Sequence, residues 1–306
     1  MSTNLKKGVV LALLTAFISG VANFTNKYAV GAITPPLVFT TLKNVGVGLL
    51  IVSLLLMNRK WELIKKLNRK ELLYLIAIGI VGGSIPFYLY FTGLTMVPAI
   101  NAAIIHKTFV IWVAILALPF LKERLTRLQI LAIILVFLGN LAFGGFNGFI
   151  YSRGELLILL ATLLWAVENI LAKKALSTLD SDVVAAARMG IGSFILLSAS
   201  LVTEPTALSK TLELDPTQSF WMIVAIVTLM GYVVTWYRAL KYAPASLVAT
   251  VLVSATLVTN ILSAVFVTHN LNAQFVFQFV LMTVGILVFI FSLNDALRKR
   301  LDTVGG

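Results

Sequence analysis

The sequence predicts an all-α integral membrane protein: ten transmembrane helices in two inverted five-helix repeats, with both termini in the cytoplasm. Three observations predict it. Of 306 residues, 59% are hydrophobic and 12% charged, with a mean hydropathy of +0.99, whereas soluble domains are about a quarter charged. Apolar runs recur along the whole chain, each long enough to cross a bilayer core of ~30 Å as a helix. The chain also matches itself at a fixed shift.

The helices fall at roughly 8–29, 36–57, 71–92, 97–120, 126–146, 154–176, 182–203, 219–240, 246–268 and 272–293. The first run, "GVVLALLTAFISGVANF", follows Lys6 and Lys7. No A-x-A-like cleavage site follows it, and Asn23, Asn26 and Lys27 lie within or just after it, so a retained first helix is expected rather than a signal peptide. Connections are short and carry turn residues, as in "GAITPP" and "LSTLDSD". Starting inside, the inner loops and tails hold Arg59, Lys60, Lys65, Lys66, Arg69, Lys70, Lys122, Arg124 and Arg127 among others. The opposite side clearly holds only Arg153 and Lys210. That asymmetry places both termini in the cytoplasm and the chain in the cytoplasmic membrane. The same asymmetry accounts for the net charge of +12, so no nucleic-acid partner is expected. Having no cysteine, the chain has neither disulfides nor thiolate metal sites.

At a shift of 146, Asn23 falls on Asn169, Lys27 on Lys173, Leu94 on Leu240, Pro98 on Pro244, Ala99 on Ala245, Leu125 on Leu271 and Gly139 on Gly285. Lys43 falls on Arg188 at 145. The repeats are therefore 1–148 and 149–306, five spans each. Five is odd, so the second repeat enters the membrane inverted. Inverted repeats are an architecture of secondary transporters, with the substrate site near the midplane between them.

Several stretches carry a resemblance to a known family. They are Asn23 with Lys27, the second-helix cations Lys43 and Arg188, the turns "YFTGLTMVPA" and "YRALKYAPA", and "FLKERLTRLQILAIILVFLGN". Together they resemble the drug/metabolite transporter superfamily, specifically its EamA-type ten-helix branch. The resemblance implies a central cavity between the halves and carriage of small organic solutes, often outward. Under it, the chain departs in having His269 where the first half has Glu123.

Charges at bilayer depth are costly and face the bundle interior or a pathway. That rule selects Lys43, His106, Lys107, Glu168 and Arg188, while Lys27, Lys173 and Arg238 lie near enough to helix ends to snorkel. His106 and Lys107 stand about 12–14 Å inside the fourth span, too deep for snorkelling. At the shift of 146 they meet Leu252 and Val253, so the repeat itself does not require them. Expected substrate-binding residues are His106, Lys107, Lys43, Arg188, Asn23, Asn169, Trp165 and Tyr88, with Trp112, Trp236, Tyr90 and Tyr232 as further aromatic candidates. Glu168 is the proton-coupling candidate, and an ion pair to a buried cation is its competing role. Gly83 and Pro86 in "VGGSIPF" mark a bend and a candidate hinge.

There is no HExxH, GxSxG or CxxC, and no residue cluster suited to a metal or cofactor, so an enzyme is not expected. With Lys43, Lys107 and Arg188 set against Glu168, the expected function is export of a small metabolite bearing an anionic group, an amino acid or organic acid, by alternating access. The runner-up is an organic anion or phosphate exchanger resembling sugar-phosphate and nucleotide-sugar carriers. A non-transporting receptor or subunit is the third reading. Protons are the candidate coupling ion.

Overall fold

A computed structural model describes residues 2–141, 148–270 and 273–304. The matched Leu271, the end of the fifth expected helix, residue 272 at the start of the tenth and the Lys27 side chain lie outside what it describes. The described residues are helical, with no strand among them. Nine of the described helical spans are long and apolar enough to cross a membrane, and Arg127–Leu141 is a further, shorter apolar helix. Large apolar side chains point outward from the bundle, with Leu49 65%, Phe194 72% and Phe291 69% exposed. Water would penalise such a surface and lipid does not, so this is a multi-pass membrane protein.

Several helices start where the sequence supplies a capping side chain or a proline. α1 (Thr3–Ala32) is capped by the Ser2 hydroxyl, which accepts from the Leu5 amide. α2 (Pro36–Met57) has proline in its first turn, where the missing amide costs nothing. The short α3 (Trp61–Lys65) leads to α4 (Arg69–Gly83), opened by a reciprocal Asn68–Glu71 capping box. α5 (Ile85–Leu94) completes the third span. α6 (Ala99–Lys107) and α7 (Phe109–Leu121) form the fourth, and α8 (Arg127–Leu141) follows. In the second half come α9 (Arg153–Ala175), α10 (Ser181–Thr203), α11 (Pro205–Lys210), α12 (Pro216–Tyr242), α13 (Ala245–Val253), α14 (Ala255–Ser263) and α15 (Ala273–Val304). The main packing joins helices of different halves: α1 on α12, α2 on α10, α8 on α15, and α4 and α5 on α9 and α10.

Three spans are broken, each for a local reason. Pro86 has no amide to give the Gly82 carbonyl, and its ring crowds that turn. The helix accordingly stops at Ser84 (φ −134°, ψ −72°) between α4 and α5. The bend expected at Gly83 and Pro86 is there. The other two breaks fall at Thr108, between α6 and α7, and at Ser254, between α13 and α14, 146 positions apart. Each turns its hydroxyl back on the carbonyl three residues earlier, Ile105 and Val251, at 2.6 Å in both cases. Such back-bonding competes with the helical ladder.

The spans broken at Thr108 and Ser254 end in left-handed residues, Lys122 (φ 55°) and His269 (φ 50°). These are 147 apart rather than 146, and the extra residue is taken up by a π-helical turn at Ala264–Thr268. His269 therefore answers structurally to Lys122, which corrects the pairing with Glu123 that a fixed shift implies. By Gly139 and Gly285 the shift is again 146.

Several contacts recur with the halves exchanged. A Cβ on Gly139 would meet Met282, and one on Gly285 would meet Val136, 146 before Met282. Gly8 stands against Ala243 and Tyr242, and Gly154 against Val97 and Met96. Gly48 approaches the Met189 carbonyl, while Ser193, 145 further on, donates to the Asn44 carbonyl at 2.7 Å.

Candidate functional site: a cationic cavity between the halves

A cavity of about 500 Å³ lies between α1, α2, α5, α6, α9, α10, α12 and the α13–α14 break. We call the end of the bundle where α1 begins the near end, and the end where it finishes the far end. The cavity walls use the middle and far parts of α1, including Ser19, Asn23 and Asn26, together with Thr259 and Asn260 near the far end of α14. Its inner wall carries Trp236, Arg188, Tyr232 and Glu168.

Six of the expected substrate-binding residues reach this cavity: Lys43, His106, Lys107, Arg188, Asn23 and Trp165, with Glu168 beside them. His106 and Lys107 both reach it because they close α6 immediately before the break at Thr108. Two expected residues stand elsewhere. Asn169 is fully buried off the wall, its amide N and O without hydrogen-bond partners; it sits about 100° round the helix from Glu168. Tyr88 is 38% exposed on the outer face of α5, and Tyr90, about 200° further round, lines the cavity instead.

Two of the cations, Lys43 and Arg188, lie over aromatic faces. Lys43 Nζ lies 4.9 Å over the Phe39 ring, and the Arg188 guanidinium 5.8 Å over Phe87. Arg188 is buried, and its Nε and Nη1 have no hydrogen-bond partner. Among the described residues none of Lys43, Lys107 and Arg188 forms an ion pair. Glu168 likewise makes no direct salt bridge there, although it and Arg188 stand near enough for their charges to act on each other. Its Oε1 instead accepts from the Tyr237 hydroxyl at 2.5 Å. Tyr237 is fully buried and off the cavity wall; in the sequence it is one aromatic among many near a helix end, with nothing to tie it to Glu168.

An aromatic wall surrounds His106, whose ring centroid is 5.0 Å from Trp165 and 5.4 Å from Tyr90. Trp165 is fixed by a hydrogen bond from Nε1 to the Gly82 carbonyl at 3.1 Å, the carbonyl that Pro86 leaves without a helical donor. Gly82 itself admits Glu168: a Cβ there would lie 2.2 Å from Glu168 Cγ. The bend in the third span, the indole and the carboxylate are thus one packed unit.

At the near end the bundle is tied shut. Lys60 Nζ binds Asp180 at 3.0 Å and Asp182 at 2.6 Å, and Arg238 reaches Asp182 at 3.1 Å. Partial burial alone would lower the Lys60 ammonium, but its bonds to Asp182 and Asp180 outweigh that and raise its pKa. Burial would raise Asp180, yet the Asp182 amide and Lys60 hold it below its ordinary value. Lys241 donates to the Leu179 carbonyl at 3.2 Å. No group of three or more metal-ligating side chains occurs among the described residues.

The EamA-like transporter family matches the sequence twice, over residues 6–144 and 152–291. An uncharacterized transporter of Archaeoglobus fulgidus is 27% identical over 83% of this chain and 88% of its own length. An uncharacterized transporter of Methanothermobacter thermautotrophicus is 26% identical over 47% of this chain, a match spanning 44% of that protein. A solved crystal structure superimposes with a TM-score of 0.76, covering 94% of this chain and 95% of that one at 18% identity, a likeness of fold.

Proposed function

For a chain that belongs to the EamA-like transporter family, we propose secondary transport of a small organic metabolite bearing an anionic group, an amino acid or organic acid. It moves outward across the cytoplasmic membrane by alternating access between inverted repeats 1–148 and 149–306. Both termini face the cytoplasm. The carrying observation is that Lys43, Lys107 and Arg188 border one cavity and, among the described residues, none makes a direct salt bridge, with Glu168 the single acid on the cavity wall. Buried cations without partners are costly, and an arriving carboxylate supplies the missing charge through short, charge-assisted hydrogen bonds. His106, Trp165 and Tyr90 offer an aromatic wall for the body of the solute, and Asn23 a polar contact toward the far mouth.

The contacts that recur with the halves exchanged support the repeat reading, as does the double family match. Glu168 is the proton-coupling candidate: it is buried, borders the cavity and is held by one hydroxyl. The bend at Gly83 and Pro86 is the candidate hinge. The unpaired guanidinium nitrogens of Arg188 favour a second reading, an organic anion or phosphate exchanger, since guanidinium also binds phosphate well.

The test is uptake and counterflow in proteoliposomes with a metabolite panel, with and without a proton gradient. Saturable movement of anionic solutes, lost in Lys107→Ala and Lys43→Ala, is expected. Wild-type transport by a well-expressed Lys107→Ala protein would remove that residue from the site. Movement only against trans-phosphate or a phosphorylated solute would select the exchanger, and no movement of any solute would favour a receptor.

A further inference from the structure

The near-end closure contains one arrangement that the other polar ties do not share. The turn joining α12 to α13 is gripped from both sides by opposite charges. Lys173 Nζ, from the end of α9, takes the Leu240 carbonyl at 2.5 Å and the Ala243 carbonyl at 2.8 Å. The Glu123 carboxylate, just beyond α7, takes the Ala245 amide at 2.6 Å, the Ser246 amide at 3.2 Å and the Ser246 hydroxyl. The cation thus meets the carbonyl end of α12 and the carboxylate meets the amide end of α13. Both placements match the partial charges of the helix ends and satisfy groups the helices leave open.

Among the described residues, the carboxylate half of this grip belongs to one end of the molecule. The packing under the turn is common to both ends, since Gly8 stands on Ala243 as Gly154 stands on Val97. The carboxylate hold is not, while the side chain of Lys27, the repeat counterpart of Lys173, lies outside the described residues. The far-end counterparts of Ala245 and Ser246 are Ala99 and Ile100, and among the described residues no carboxylate reaches their amides. The central cavity extends toward the far end. On the near side of the gripped turn lies a second hollow of about 920 Å³, bordered by Glu123, Lys173, Ala243 and Pro244, by two further cations, Lys70 and Lys174, and by one further acid, Glu71.

We infer that Lys173 and Glu123 are the latch of a near-end gate, and that the hollow outside it is the other mouth of the transport pathway. The inference rests on the transport reading above. When the latch lets go, Lys173 exchanges two backbone carbonyls for the hollow, where Lys70, Lys173 and Lys174 outnumber Glu71 and Glu123 and leave a net positive surface for an anionic solute. Release of the turn frees the start of α13, whose far end at Leu252 and Val253 borders the central cavity. Opening the gate therefore moves the cavity wall that lies opposite the His106–Lys107 side.

The chain has no cysteine, so one introduced thiol reports pathway access without background. Thr256→Cys, on the cavity wall, is reacted with a membrane-impermeant maleimide from either face of vesicles of known orientation. With the latch intact, labelling is expected from the far face and near background from the near face. Adding Lys173→Met or Glu123→Gln is expected to raise near-face labelling about tenfold or more, as removal of charged hydrogen bonds from one state predicts. Ser246→Ala, which deletes one hydroxyl, gives a smaller rise of the same sign, and Lys173→Arg keeps the gate closed.

Near-face labelling that stays at background in both latch variants, while far-face labelling keeps the parent rate, overturns the inference. A rise in only one of them overturns the paired latch. Should either variant fail to fold and label from neither face, Ser246→Ala decides by the same reading. The assay needs no substrate, so a metabolite panel that shows no transport sinks the functional reading without touching this result.

Discussion

Replacing Trp165 by phenylalanine tests how the third span's bend is held. In the structure the indole Nε1 donates to the Gly82 carbonyl at 3.1 Å, because Pro86, four residues on, has no amide to offer. Losing that bond forfeits about 1 kcal/mol net and exposes the cost of an unsatisfied buried carbonyl, about 1–3 kcal/mol in all. The smaller ring loses about 1 kcal/mol of apolar burial. Trp165→Phe should therefore destabilise by about 2–4 kcal/mol.

In a Pro86→Ala background residue 86 regains an amide that can reach Gly82, so the indole bond becomes redundant and only the packing loss of about 1 kcal/mol remains. The coupling between the two substitutions is then about 1–3 kcal/mol. Equilibrium unfolding of the four proteins in mixed micelles, followed by far-UV circular dichroism, measures it. Equal costs of Trp165→Phe in both backgrounds, within about 0.5 kcal/mol, would refute the account of this bend.

Other expectations are as direct. Gly83→Ala places a Cβ 2.2 Å from the Arg188 carbonyl and 2.9 Å from the Gly192 Cα; the overpacking should cost about 1–3 kcal/mol in the same unfolding assay, and a neutral result would mean that α4 and α10 cross more loosely. The Lys60–Asp180–Asp182 cluster should stabilise across the neutral range. Asp180 is depressed, so its share is lost as pH falls through its folded pKa, whereas Lys60 is raised, so its share is lost as pH rises through its own. Thermal melts of Lys60→Met against the parent should therefore differ most near neutrality and converge at both extremes. Glu168→Gln should flatten the pH dependence of transport, and Tyr237→Phe should move its midpoint; profiles unchanged in both would end the proton role of Glu168.

The membrane class and the spans were legible because lipid leaves a coarse record, long apolar runs with basic short loops between them. The deep cations were legible too, since a charge such as Lys43 or Arg188 in an oily helix has few places to go. The breaks at Thr108 and Ser254 were not. Threonine and serine occur in many unbroken helices, and only the bonds to Ile105 and Val251 reveal that these two interrupt their spans. The exchange of Tyr88 for Tyr90 has a similar origin, because two residues along a helix turn a side chain to the opposite face, and an apolar run carries little phase information when lipid and core are both apolar. Tyr237 was invisible for a third reason. Its partner Glu168 is 69 positions away, and nothing local in either segment marks the pair.

The π turn at Ala264–Thr268 sets a rule for anyone exchanging parts between the halves. The fourth span, Ala99–Leu121, has 23 residues, and the ninth, Ala245–Thr268, has 24, yet both run from a proline-led start through a hydroxyl-bonded break to a left-handed end. A chimera grafting one onto the other fits only if a residue is added or removed within that turn. Elsewhere in the span the same change would rotate every following side chain by about 100°. The ninth span thus contains one site where chain length can vary while both of its ends stay in place.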